Sequence, residues 1–107
     1  MADRKDKQLI YQKINEYIKV LEENHIRLWR LYLYGSYAKE TYKEESDIDL
    51  AIFLEEKDLD GFEEDAKLMK LRRKVDLRIE PHVFTRIDIE DANPFIEEII
   101  TTGERII

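Results

Sequence analysis

Leu50-Ala51-Ile52-Phe53-Leu54 is an unbroken apolar run. A run of that length fits a strand covered on both faces, so the rest of the chain has to supply layers above and below it. Lys7 to Asn24 reads as one such layer. Leu9, Ile10, Ile14, Tyr17, Ile18 and Leu21 recur at helical spacing, while Lys13, Glu16, Lys19 and Glu22 fill the other side. Asn24 suits its C-terminal end. Ile26 to Tyr34, rich in aromatic and branched residues, reads as a largely buried strand broken by Gly35-Ser36. Tyr37 to Tyr42 is then a turn or short helix, and the apolar run belongs to a strand from Asp47 to Leu54.

Phe62 to Lys74 reads as a second helix. Glu63, Glu64 and Asp65 crowd its first turn and Lys70, Arg72, Arg73 and Lys74 its last, the order that complements the helix dipole. The Arg72-Arg73-Lys74 cluster is therefore taken as the helix's basic end rather than an anion site. Val75 to Ile79 reads as a third strand stopped by Pro81. Pro94 to Thr101 reads as a short helix opened by proline, ended by Gly103, with Glu104 to Ile107 as a terminal strand. Helices alternating with strands define an α/β domain, or α+β if the sheet is mixed. A chain of 107 residues supports one core, so residues 1–107 are expected to form a single domain.

The net charge of −7 argues against long nucleic acid as the main ligand, because approach would lack counterion release. With no cysteine there is no disulfide framework, thiolate metal site or cysteine nucleophile. The N-terminus lacks a signal-like apolar stretch. No apolar run approaches the roughly 18 residues that span a bilayer. A cytoplasmic setting is expected.

Chemistry concentrates between Gly35 and Leu50. Gly35-Ser36 lies where a buried strand ends, and exposed backbone N–H groups with no Cβ at Gly35 would make a small anion-binding concavity. Asp47 and Asp49, two residues apart on a strand, share one face with Cα atoms about 6.6 Å apart. Carboxylates so placed can grip one Mg²⁺ or bracket two. A calcium loop is excluded by Ala51 and Ile52, and a Walker loop by the missing Gly-Lys-Ser/Thr. Alone, the Gly-Ser is a turn and the Asp-x-Asp a solvated strand start. Together, with ten residues between Ser36 and Asp47 and an apolar strand in each half, they form a far more specific pattern.

That pattern, with Ser46-Asp47-Ile48-Asp49-Leu50 and the later Val75-Asp76-Leu77, resembles the minimal nucleotidyltransferases of the DNA polymerase β-type superfamily, small proteins often paired as antitoxins with HEPN-type toxins. The resemblance runs from the first strand to the third and weakens after Pro81. It implies that Gly35 and Ser36 hold the triphosphate of an NTP, ATP being favoured, with Lys39 adding a positive charge. It also implies that Asp47, Asp49 and Asp76 are the catalytic and metal-binding carboxylates for two Mg²⁺ ions, Asp76 lying on a neighbouring strand. Glu80 is the rival for that third place. The family's Arg-Ala-Arg-Gly is replaced here by Tyr37-Ala38-Lys39-Glu40, which adds a negative charge near the phosphates. His25 and His82 read as loop residues rather than catalysts.

The implied activity moves a nucleoside monophosphate to a hydroxyl with release of pyrophosphate. The chain has no residues left over to build a domain that holds an acceptor, so the acceptor is expected on a partner protein such as a HEPN-type toxin. The alternative is a catalytically weak antitoxin that neutralises such a toxin by covering it.

Overall fold

The computed structural model describes residues 4–38, 43, 46–55, 62–91 and 93–107. Its elements run α1 (Arg4–Glu23), β1 (Leu28–Tyr34), β2 (Ile48–Leu54), α2 (Phe62–Leu71) with a 3-10 turn (Arg72–Lys74), β3 (Ile79–Thr85), α3 (Arg86–Glu90), α4 (Pro94–Thr102) and β4 (Glu104–Arg105). The four strands form one mixed sheet in the order β3-β2-β1-β4. β1 lies antiparallel to β2 and β4, and β2 lies parallel to β3.

Strand alternation divides the core in two. Leu31 and Leu33 of β1, with Ile48, Leu50 and Ile52 of β2 and Ile79 of β3, join Ile10, Ile14, Tyr17 and Leu21 of α1 and Leu68 of α2. On the opposite face Tyr32, Ala51 and Phe53 pack with Ile96 and Ile99 of α4, flanked by Trp29, Tyr34 and Phe84. The apolar run in β2 is thus sandwiched as its sequence requires. Asp49 follows the same alternation and falls on the α4 face. Leu9, counted in the apolar stripe of α1, is 54% exposed at that stripe's margin.

α1 ends where Asn24 was expected to close it. His25 takes a left-handed conformation (φ 61), and Ile26 N–H donates to Leu21 O (3.0 Å) while His25 N–H donates to Glu22 O (3.0 Å). These are the two bonds of a Schellman ending, so His25 serves the chain reversal.

One expectation is corrected. The third strand does not end before Pro81: it begins at Ile79 and continues through Pro81 to Thr85. β3 sits at the end of the sheet, paired with β2, and proline is tolerated on such an edge because its missing N–H can face outward. The stretch after β3, to which the sequence reading assigns no element, forms α3. Arg86-Ile87-Asp88-Ile89-Glu90 alternates like a strand, but the Asp88 carboxylate accepts from Thr85 N–H (2.7 Å) and Thr85 Oγ1 (3.2 Å), which turns the chain into a helix.

Candidate active site

β1 and β2 bring the two sequence motifs together. Tyr34, the last residue of β1, pairs in register with Asp49, and Gly35 follows directly. Gly35 has φ 73, in the left-handed region, and a Cβ there would collide with Asp49 Oδ2 and lie 3.2 Å from its carboxyl carbon. Glycine is therefore required twice, by the backbone and by the carboxylate lying against it. Ser36 follows in the same turn, half-buried. Asp47 lies just before β2 and is exposed, while Asp49 is half-buried. Lys39 and Glu40 lie outside the described residues.

The parallel pairing of β2 with β3 adds a third acid. Asp49 lies opposite Glu80 in register, and His82 follows two residues later on the same face. The His82 ring meets Tyr34 edge-on at 5.8 Å, and Tyr34 in turn meets Phe95 of α4 at 6.0 Å. Burial pushes the Asp49 carboxyl above the usual carboxylate value; the nearby His82 opposes this, and the negative charges of Asp47 and Glu80 add to it. Burial likewise raises the Tyr34 hydroxyl, with Asp49 and Glu80 contributing. Glu80 is held by Arg72, whose Nη1 donates to its carboxylate (2.9 Å) and to Ile79 O (2.9 Å).

Asp76 is placed differently from expectation. It precedes β3 rather than lying on a strand, and its carboxylate receives Arg78 Nε (3.1 Å), Arg78 Nη2 (2.9 Å) and Arg78 N–H (2.8 Å). The side-chain bonds from Arg78 hold its carboxyl pKa below the usual carboxylate value, against the opposing effect of burial. Asp47, Asp49 and Glu80 therefore share one end of the sheet, with Asp76 engaged beside it. Among the described residues no three acids or histidines converge closely enough to hold a metal ion as they stand. The sequence offers Glu80 as the rival third acid but makes His82 a loop residue, because Pro81 reads as a strand end; His82 lies instead within β3.

The family model described as Polymerase beta, Nucleotidyltransferase matches residues 9–107. The chain belongs to that nucleotidyltransferase family. The solved structures it is similar to include a candidate nucleotidyltransferase from Sulfolobus solfataricus (15% identity, TM-score 0.65, covering 81% of this chain and 77% of that one), whose likeness is one of fold. They also include a toxin–antitoxin with AMP-PNP (25% identity, TM-score 0.58, 85% and 69%). A mutant of the toxin–antitoxin MntA-HpeT is similar as well (26% identity, TM-score 0.57, 87% and 70%). No curated protein matches the chain. Among the described residues no helix is long and apolar enough to cross a membrane.

Proposed function

We propose that the chain is a Mg²⁺-dependent nucleotidyltransferase that moves a nucleoside monophosphate from ATP to a hydroxyl on a partner protein of the HEPN-toxin class, in a cytoplasmic setting. The observation that carries this reading is the packing of Gly35 against the Asp49 carboxylate. It sets a backbone turn suited to phosphate directly beside the acids. Asp47 and Asp49 would hold Mg²⁺, with Glu80 favoured over Asp76 as the third acid because Glu80 is the register partner of Asp49. The donor chemistry fits a hard cation: all three are carboxylates, and burial, with the negative charges of Asp47 and Glu80 adding to it, makes an ionised Asp49 costly without a bound cation. Mg²⁺ bound there would neutralise the triphosphate and polarise the phosphorus under attack.

The chain's own residues do the positioning. The Gly35-Ser36 turn on β1 receives the β- and γ-phosphates, which leave together as pyrophosphate. β3 lies on the other side of β2, so in-line displacement at the α-phosphorus brings the acceptor hydroxyl over Glu80. Its oxygen bonds to the α-phosphorus as the bond to the pyrophosphate oxygen breaks. The hydroxyl proton passes to a carboxylate of the site, of which Glu80 is nearest that side. The likeness to a toxin–antitoxin with AMP-PNP supports both an adenine nucleotide and a protein partner.

A binding module is the second reading, favoured by one observation: Arg72 occupies Glu80. Calorimetry with ATP in the presence and absence of Mg²⁺ separates the two. Tight binding only with the metal supports the enzyme, and equal affinity in both conditions removes the metal bridge.

A further inference from the structure

Tyr37 is 2% exposed, one residue beyond Ser36, yet it carries a hydroxyl into the core. That hydroxyl donates to Lys43 O (3.5 Å) and accepts from Arg78 Nη1 (3.5 Å). Lys43 and Ser46 are bonded to each other, with Lys43 N–H donating to Ser46 Oγ (2.7 Å) and Ser46 N–H to Lys43 O (3.0 Å). Ser46 immediately precedes Asp47. On its other side Arg78 is gripped by Asp76 through Nε, Nη2 and the backbone N–H. Its carbonyl accepts from Ile48 N–H (2.8 Å), the peptide between Asp47 and Asp49.

We infer that Arg78 is a positioning residue that fixes the Gly35-Ser36 turn relative to the Asp47-Ile48-Asp49 strand end, with Asp76 as its anchor and Tyr37 as its contact on the turn. The inference rests on the nucleotide-binding reading of that site. The turn and the acids are separated by a ten-residue connection and have to keep one spacing to grip the same triphosphate. Upstream, the pairing of Tyr34 with Asp49 fixes that spacing. Downstream, Arg78 does so, because one residue holds Ile48 by its main chain and Tyr37 by its side chain. An arginine suits this work: its planar fork meets both Asp76 oxygens and still has a donor for Tyr37. An isolated surface ion pair would carry little, but this one aims a guanidinium at a buried hydroxyl.

Asp76 acts here through Arg78 and not through a metal, and the two roles separate experimentally. MgAMP-PNP is titrated into the wild-type chain, Arg78→Met, Tyr37→Phe, their double variant and Asp76→Asn, with AMP-PNP alone as the companion titration. Amide hydrogen exchange is followed at Ser36, Tyr37 and Ile48. The expected result is affinity weakened roughly tenfold in each single variant, as for supporting residues around a site. The double variant should be no weaker than the weaker single, since both break one link. The gain in affinity from Mg²⁺ should survive in Asp76→Asn, and exchange should quicken at the turn and at Ile48 together. Wild-type affinity and exchange in both single variants overturn the inference, as do additive losses or a Mg²⁺ gain abolished in Asp76→Asn. Should Arg78→Met not fold, Arg78→Lys and Tyr37→Phe decide by the same readings. If the wild-type chain itself does not bind MgAMP-PNP, the nucleotide reading fails, and exchange alone upholds or overturns the positioning role.

Discussion

Two aspartates near one end of the sheet are pushed in opposite directions, and that contrast has consequences for stability. Asp49 is half-buried among negative charges and holds its proton more tightly than usual. Above the ordinary carboxylate value, near pH about 4, the unfolded chain has lost that proton while the folded chain still favours it. Stability therefore falls as pH rises through the raised folded value. Asp49→Asn should melt higher than the wild-type chain at pH 7, with the difference closing near pH 3. Asp76 is depressed by Arg78, so its contribution is present above the ordinary value and disappears as pH falls through the lowered folded one. Asp76→Asn should melt lower at pH 7 and match the wild-type chain in strong acid. Thermal melts across pH check both signs, and a lower-melting Asp49→Asn at pH 7 would contradict the crowding at that site. Gly35→Ala should lose roughly 1–2 kcal/mol to the left-handed backbone alone. It should also displace Asp49, so nucleotide affinity should fall further than the melting temperature suggests.

The elements were legible in the sequence where one physical signal dominated. The stripe of α1, the buried β2 run and Pro94 at the head of α4 each stand where periodicity or proline chemistry puts them. The misplaced element was β3. Pro81 blocks a central strand but not an edge, and whether a strand lies at an edge is decided by the whole sheet rather than by its neighbours in sequence. Where β3 begins also decides which acid pairs with Asp49: it is Glu80, the rival of the Asp76 that the family resemblance favours. The Gly35-Asp49 contact is long-range in the same sense, while Gly35, Ser36, Asp47 and Asp49 themselves were legible from spacing. The second core face depends on α4: Ile99 is 2% exposed against Tyr32, Ala51 and Phe53. Ile99→Ala should cost about 2–5 kcal/mol. Ile87→Ala, at 71% exposure on α3, should be near neutral, and denaturant unfolding of the pair checks the contrast.

Taken whole, the molecule is a small mixed sheet with carboxylates gathered at one end and a net charge of −7. A basic partner would be drawn to it by long-range attraction, so association should slow as salt rises while dissociation changes little; stopped-flow mixing at several ionic strengths reads this directly. Attraction of that kind would serve a binding module equally well, which makes transfer the decisive observation. The direct test incubates the chain with Mg²⁺, ATP labelled at the α-phosphate and a cognate HEPN-type partner, alongside Asp49→Asn. Label should pass to the partner with the wild-type chain and not with Asp49→Asn. A tight complex that never acquires label, or equal labelling by the two proteins, would contradict the assignment of these carboxylates to nucleotidyl transfer.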